Sequence, residues 1–395
     1  MDVGRAVTRA ALAGLAAGTV LGVAARRRRS ATRTEPDVHR DRSPTRTEPD
    51  ARRDHVHART EPDARRDRSR ARTGPRYRDR PSAGAGLSGR RGRPVTVTTD
   101  DGVRLAADVE EAASPGPVVI FIHGWVMNRH CWHFQREALA GRATLVFYDQ
   151  RGHGDSSAGT LDACTVDRLG DDLAAVIEAT VPEGTPVVLV GHSMGGMTVM
   201  AFAARHPGTL AARVAGVALL STSPGGLRDS TFGLPWPLGR LAPRFTPVVF
   251  ERMLARGALI DRRPALRSRT NLPVTRYVAF GPRAPREHVR FVSAMAVATP
   301  TEVMAGFFRA FLVHDKLAAL AALEPVETLV MVGDRDRLTP AEHSRRIAAA
   351  LPGARLVVLP GAGHMIGLER PADVGRELTA LLDRIAAGRA GRSGR

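Results

Sequence analysis

The stretch PVVLVGHSMGGMTVMAFAA, residues 186–204, decides the fold of this chain. It opens with a strand-like apolar run, continues with Gly-His-Ser-Met-Gly at 191–195, and ends in residues compatible with a helix. A serine on so sharp a strand-to-helix turn has strained backbone angles, and glycines two residues away on each side let the chain pass closely. The pattern predicts a nucleophile elbow with the Ser193 hydroxyl raised above a sheet. A Gly-rich turn with an incidental serine is the alternative.

Further apolar runs place this elbow in a larger sheet. Val95–Thr98 and Leu105–Val109 flank the hairpin signal Asp100-Asp101-Gly102. Continuous runs follow, separated by segments with helical spacing, at 118–122, 143–148, 186–190, 214–220, 328–332 and 356–359. Such alternation predicts an α/β fold with a mostly parallel central sheet and helices on both faces. Between the fourth and fifth of these runs, residues 223–325 break the rhythm with prolines and helical stretches. They are expected to form a helical lid at the carboxyl edge of the sheet.

A serine hydroxyl needs a base, and the base needs an orienting carboxylate. Two aspartates, Asp334 and Asp336, follow the fifth run in GDRDRLTP, and His364 follows the sixth in GAGHM. The order Ser, Asp, His is the one expected on this architecture. The residues alone leave both aspartates open, and the other one is expected to form a salt bridge or to cap the helix after Pro340.

An oxyanion hole is expected from two backbone N–H groups. HGW at 123–125 ends the first buried run, so the N–H of Trp125 can act together with that of Met194. The Trp125 indole is expected to line the pocket, and ordinary core packing is the competing interpretation.

These motifs resemble the α/β-hydrolase superfamily over essentially all of residues 94–388. The motifs that carry the resemblance are HGW at 123–125, DQRGHGDS at 149–156, GHSMGG at 191–196, GDRDRLTP at 333–340 and GAGHMIGLERP at 361–371. The resemblance implies Ser193 as nucleophile, His364 as general base and Asp336, rather than Asp334, as the acid. It also implies that His153 in the R-G-H-G loop is structural.

The implied activity is a serine hydrolase that cleaves carboxylic esters, with a small-molecule ester or acyl compound as substrate. A serine at the elbow argues against dehalogenase and epoxide hydrolase chemistry, for which the family uses an aspartate. Acyl transfer, perhydrolysis and C–C hydrolysis by the same residues stay open. Apolar side chains that could form a substrate wall are Phe291, Met295, Met304, Phe307, Phe308 and Phe311. No cofactor and no metal are expected, since dinucleotide, phosphate-loop and clustered ligand motifs are missing.

The net charge of +18 first suggests a nucleic-acid binder. Residues 26–93, however, hold 22 arginines against 10 acidic residues, and an RTEPD motif recurs there every 13 residues. Residues 94–383, in contrast, have a net charge of only +1. High charge with few apolar residues predicts a disordered linker. No specific nucleic-acid partner is therefore expected. A non-catalytic scaffold or anionic-surface binder that acts through this linker is the alternative from another functional class.

The N-terminal apolar stretch at 10–25 would reach about 24 Å as a helix, short of a bilayer core of about 30 Å. Arg26–Arg29 follow it directly, so an inserted segment would keep the rest of the chain in the cytoplasm. A cytoplasmic protein is expected, with attachment to the cytoplasmic face of the membrane as the alternative. The predicted organisation is a weakly apolar segment at 1–25, a linker at 26–93, a hydrolase domain at 94–388 with a lid at about 223–325, and a basic tail at 389–395.

Overall fold

A computed structural model describes residues 92–114, 116–229 and 251–393 of the 395-residue chain. The predicted N-terminal segment at 1–25 and nearly all of the predicted linker at 26–93 lie outside these residues. All of the described residues belong to one compact unit.

Eight strands form one sheet in the order β1-β2-β4-β3-β5-β6-β7-β8. They are β1 (Arg93–Thr98), β2 (Arg104–Glu110), β3 (Val118–Ile122), β4 (Thr144–Tyr148), β5 (Val187–His192), β6 (Val214–Leu220), β7 (Glu327–Gly333) and β8 (Arg355–Leu359). The β1–β2 and β2–β4 pairs are antiparallel, and the other five pairs are parallel. The predicted hairpin and the predicted mostly parallel sheet are both confirmed.

Helices connect the parallel strands and cover the sheet. They are α1 (His133–Leu139), α2 (Val166–Thr180), α3 (Met194–Arg205), α4 (Pro207–Arg213), α5 (Pro264–Ala279), α6 (Arg286–Ala298), α7 (Thr301–Val313), α8 (Ala341–Ala350), α9 (Ile366–Glu369) and α10 (Pro371–Ser393), with a further helical stretch at 251–261. Short 3₁₀ turns lie at Arg129–Trp132, Leu161–Ala163, Leu227–Asp229 and Ala318–Leu323.

The central strand β3 shows how the two faces are covered. Val119 and Phe121 pack into one apolar cluster, with residues of α1, α6 and α10. Ile120 and Ile122 point to the other face and pack with residues of α2 and α3. Because every residue of β3 is buried, its sequence is continuously apolar, as is typical of a parallel strand covered on both sides.

The segment between β6 and β7 is helical in its described part. The helices predicted at 288–295 and 302–313 are confirmed as α6 and α7. The sequence did not predict α5, because this helix contains Pro273, a residue that normally breaks a helix. We call residues 251–313 the insertion. A third apolar cluster joins its helix α7 to Met194 and Met197 of α3, so the insertion packs against the start of α3 beside the elbow.

The ends of the domain differ slightly from the prediction. Strand β1 begins at Arg93, inside the predicted linker, because Arg93 pairs with Val109 of β2. Helix α10 continues to Ser393, so the predicted basic tail starts as helix. Within the described residues, no single helix has the length and apolar character to cross a membrane; α6 and α7 reach that threshold only as a pair bent by 99°.

Candidate active site

Ser193 lies at a sharp turn between β5 and α3. Its backbone has φ 54° and ψ −116°, a region that residues other than glycine rarely occupy. A Cβ atom on Gly195 would stand 2.0 Å from the carbonyl oxygen of Ile122, and one on Gly191 would stand 2.5 Å from that of Gly195. Only glycine fits at these two positions. The predicted elbow geometry is therefore present.

Hydrogen bonds hold this turn in place. The Ser193 N–H donates to the carbonyl oxygen of Leu220 on β6 at 2.9 Å. The Thr222 hydroxyl donates to the carbonyl oxygen of Ser193 at 2.7 Å. A strained backbone conformation persists where surrounding contacts stabilise it, and here hydrogen bonds to the end of the neighbouring strand β6 and the loop after it stabilise Ser193.

His364 and Asp336 are brought together from the loops after β8 and β7. The Nδ1 of His364 lies 2.8 Å from Oδ2 of Asp336, and both residues are buried. The other carboxylate oxygen of Asp336 accepts the backbone N–H groups of Leu338 and Thr339, each at 2.9 Å. A carboxylate acceptor keeps the proton on Nδ1 of the neutral ring, which leaves Nε2 free to accept a proton.

Asp334 does not contact the histidine ring. Its carboxylate accepts the backbone N–H of Gly361 at 2.7 Å and lies 3.8 Å from the guanidinium of Arg335. It thus ties the end of β7 to the loop that carries His364. The alternative of a helix cap does not apply to it, because α8 begins after Pro340 without a side-chain cap.

The predicted oxyanion donors lie on two elements in close contact. Met194 is the first residue of α3, so its N–H has no acceptor within the helix. The close approach of Gly195 to Ile122 places this helix start against the end of β3, where the loop with Trp125 begins. Among the described residues, neither the Trp125 nor the Met194 N–H donates to a protein acceptor.

Gln150, a residue that the sequence reasoning missed, connects these two elements. Its backbone N–H donates to Nε2 of His123 at 2.9 Å, and its side-chain amide donates to the His123 carbonyl oxygen at 2.6 Å. The Thr198 hydroxyl donates to the Gln150 amide oxygen at 2.7 Å and lies 3.0 Å from the Met194 carbonyl oxygen. Gln150 thus joins the Trp125 loop to the first turn of α3. Its place just after β4, inside DQRGHGDS, was the available signal.

His192 is buried beside the candidate base. Its Nε2–H donates to the carbonyl oxygen of His364 at 3.0 Å, and the two ring centroids are 4.8 Å apart. Burial, reinforced by His364, lowers the pKa of His192 to about 3. His192 is therefore uncharged at neutral pH and acts as a hydrogen-bond donor to the loop of His364.

Two further histidines near the site are also held neutral by burial. Burial lowers the pKa of His123 to about 4, and its Nδ1–H donates to the carbonyl oxygen of Gly124. Burial together with His123 lowers the pKa of His153 to about 3, and this ring donates to the carbonyl oxygen of Arg151. Both rings are fixed by backbone contacts.

The six apolar side chains predicted to form a substrate wall lie in three different parts of the domain. Phe307, Phe308 and Phe311 join the cluster at the elbow, and the Trp125 ring lies 5.8 Å from Phe308 and 5.6 Å from Phe311. Phe291 and Met295 instead pack into the core on one face of the sheet. The Met304 sulfur lies 3.5 Å from the guanidinium of Arg267. Of these six side chains, Phe308 and Phe311 therefore lie against the indole.

The described residues hold no group of three or more His, Cys, Asp or Glu side chains that could bind a metal ion. Both cysteines, Cys131 and Cys164, are buried and free. The residues that could take part in chemistry here are thus a serine, a histidine and a carboxylate at the carboxyl edge of a parallel sheet.

A family model for the α/β-hydrolase fold matches residues 117–371, which is more than half of the chain. The chain therefore belongs to the α/β-hydrolase family of enzymes. Pimeloyl-[acyl-carrier protein] methyl ester esterase of Chromobacterium violaceum is 29% identical over 279 residues, which cover 69% of this chain and 97% of that protein. Non-heme chloroperoxidase CPO-A1 of Kitasatospora aureofaciens is 29% identical over 284 residues, 69% of this chain and 92% of that protein. Among solved structures, a thermophilic esterase from Thermogutta terrifontis is 25% identical, covers 74% of this chain and 98% of that chain, and has a TM-score of 0.53.

Proposed function

We propose that the protein is a serine hydrolase that cleaves carboxylic esters of small molecules through an acyl-enzyme on Ser193. The observation that carries this proposal is the buried hydrogen bond between His364 and Asp336, which leaves Nε2 of His364 as a base at the same sheet edge as the strained serine. The esterase names of two of the similar proteins support ester chemistry.

In the first half-reaction, the Ser193 oxygen attacks the ester carbonyl carbon while His364 takes the hydroxyl proton. This transfer requires a hydrogen bond from the hydroxyl to Nε2, which is not formed among the described residues. Asp336 stabilises the imidazolium that forms. The C–O bond to the alcohol then breaks, and His364 returns the proton to the leaving oxygen.

The N–H groups of Trp125 and Met194 are proposed to bind the oxyanion of the tetrahedral intermediate. Donors fixed in advance are worth more at such a site than mobile ones, because they need no reorganisation during the reaction. Gln150 supplies this fixation by bonding to the loop of one donor and, through Thr198, to the helix of the other. In the second half-reaction, water attacks the acyl-enzyme with His364 again as base.

The insertion is proposed to act as a lid that forms the acyl pocket. Phe308 and Phe311 of α7 pack against Trp125, the residue whose N–H is the proposed oxyanion donor. A lid in this position would set substrate choice while the sheet edge supplies the chemistry.

Perhydrolysis by the same acyl-enzyme is the second candidate, and the chloroperoxidase relative favours it. In that reaction hydrogen peroxide replaces water as the acceptor, so the acyl group leaves as a peracid. Peracid formation from a carboxylic ester and hydrogen peroxide, measured beside ester hydrolysis, distinguishes the two.

Labelling by a fluorophosphonate tests the nucleophile. The wild-type chain should be labelled and Ser193→Ala should not, with a loss of roughly 10⁴–10⁶ in kcat on p-nitrophenyl acetate. Ser221→Ala is the matched control, because Ser221 also has a positive φ, 45°, and follows the neighbouring strand β6. An unlabelled wild type, or a labelled Ser193→Ala, would overturn the proposal.

A further inference from the structure

One part of the insertion is strongly basic, although the domain around it is not. Residues 251–290, which we call the basic segment, carry ten arginines and three acidic residues, a net charge of +7. Residues 94–383 as a whole have a net charge of +1, so the rest of that domain is at −6. The positive charge of the domain is therefore concentrated in one stretch of the insertion.

Two of these ten arginines have internal partners. Arg267 pairs with Asp261 at 2.7 Å, and Arg276 donates to the carbonyl oxygens of Gly281 and Pro282. The other eight are exposed and form no salt bridge within the described residues: Arg252, Arg256, Arg262, Arg263, Arg269, Arg283, Arg286 and Arg290. Eight guanidinium groups are thus available to an anionic partner.

Large apolar side chains are exposed among these arginines. Leu259 is 55% exposed and Leu266 is 53% exposed. Arg252, Arg256 and Leu259 follow one another at spacings of four and three in the helical stretch 251–261, so they share one helix face. Leu266 and Arg269 share a face of α5 in the same way. Each of these two helix faces therefore combines an exposed leucine with at least one exposed arginine.

We propose that the basic segment is a docking surface for membranes that contain anionic phospholipids. Guanidinium groups bind phosphate oxygens in pairs and are weakly hydrated, which suits them to lipid headgroups. Burial of the exposed leucines in the apolar boundary beneath the headgroups stabilises the bound state. A bilayer deforms around two separated leucines, whereas a folded acidic protein would need a shape that matches them.

This surface is connected to the candidate base through α5. The carbonyl oxygen of Ala279, the last residue of α5, accepts the backbone N–H of His364 at 2.9 Å. Leu266 lies 13 residues earlier, about 20 Å away along the helix axis. The proposed docking surface thus includes the helix whose last residue contacts the loop of His364. The proposal does not depend on ester hydrolysis, because binding is measured without turnover.

The first experiment is sedimentation of the full chain with vesicles of phosphatidylglycerol and phosphatidylcholine in equal parts. Each surface arginine contributes roughly a fivefold factor to such binding at low salt. A variant with Arg252, Arg256, Arg262 and Arg263 changed to Gln should therefore require at least about tenfold more lipid. The control changes Arg104, Arg142, Arg345 and Arg355, four exposed arginines outside the insertion, to Gln. Equal binding by both variants would overturn the proposal.

The basic linker at 26–93 could bind vesicles by itself, so a second experiment locates the contact. Leu259→Cys is labelled with an environment-sensitive fluorophore, which is selective because Cys131 and Cys164 are buried. Vesicles with phosphatidylglycerol should shift its emission to the blue, and doxyl-labelled lipid should quench it. Val358→Cys, at a 37% exposed position on β8, is the control that should not respond.

The outcomes of the fluorescence experiment are distinct. A response at residue 259 that is absent with pure phosphatidylcholine and declines with salt supports the proposal. Binding of the chain without a response at 259 assigns the contact to residues before the domain, either the apolar stretch at 10–25 or the linker, and overturns the proposal. A response to polyglutamate but not to vesicles points to an acidic protein partner and also overturns it.

Discussion

The carboxyl edge of the sheet and the insertion use their polar groups in opposite ways. At the edge, His364 and Asp336 are buried and paired with each other, and the Asp336 carboxylate also accepts two backbone N–H groups. In the basic segment of the insertion, eight arginines are exposed without an ion-pair partner among the described residues. The first arrangement fixes geometry, which bond-making chemistry requires. The second leaves charge available for contact with something outside the chain.

After the loss of the nucleophile itself, the largest expected effect contrasts the two aspartates of the edge. Asp336→Asn should lower kcat on p-nitrophenyl acetate by roughly 10⁴-fold, because an amide N–H facing Nδ1 favours the wrong histidine tautomer. Asp334→Asn should cost less than about tenfold, since its carboxylate bonds to the Gly361 N–H and not to the ring. Steady-state kinetics on both variants, with circular dichroism to check folding, make the comparison. A larger loss in Asp334→Asn would refute the assignment of the acid.

The candidate site was largely predictable from the sequence because its residues follow buried strands. Ser193, Asp336 and His364 each come shortly after an apolar run, and parallel strands end at one edge. The choice of Asp336 needed the family resemblance, and the structure shows its contact with the ring. Gln150 was missed because its importance depends on His123 and Thr198, which are distant in sequence.

The insertion was harder to predict, for a different physical reason. Helix α5 contains Pro273 in its interior, so local propensity argued against it. Its arginines were visible in the sequence, but charge alone does not tell whether a residue is paired. Arg267 and Arg269 differ by two positions; the first is bonded to Asp261 and the second is exposed.

A smaller effect is expected when the fixation of the edge is loosened. Thr198→Val removes the hydroxyl that bonds to Gln150 at nearly the same side-chain volume, and kcat should fall by roughly tenfold to a hundredfold through displaced oxyanion donors. Thr198→Ser keeps the hydroxyl and should recover most of the activity. KM should change little in either variant.

Binding of a boronic acid shows whether Thr198 positions the oxyanion donors or has only a structural role, because the boronic acid forms a tetrahedral adduct with the nucleophile. The affinity for the boronic acid should weaken in Thr198→Val in parallel with kcat/KM. The thermal stability and the extent of fluorophosphonate labelling should stay close to those of the wild type. Gln150→Leu combined with Thr198→Val should cost less than the sum of the single effects, because both remove the same bond. Additive losses would contradict the connection through Gln150.

The smallest expected effect lies in the insertion and concerns preference rather than rate. Phe308→Ala should enlarge the proposed acyl pocket beside Trp125 and raise the ratio of kcat/KM for hexanoate over acetate esters by roughly three- to tenfold, since each methylene that finds apolar contact adds about 0.8 kcal/mol. Phe291→Ala is a matched control, because Phe291 and Phe308 are equally buried, at 8% exposure, on neighbouring helices. Phe291 packs into the core on the sheet face, so its removal should lower stability by about 3 kcal/mol or more and leave the ratio unchanged. A change of the hexanoate-to-acetate ratio in both variants would mean that the insertion affects the ratio through its stability. In that case the insertion would not determine substrate preference separately from the catalytic residues at the sheet edge.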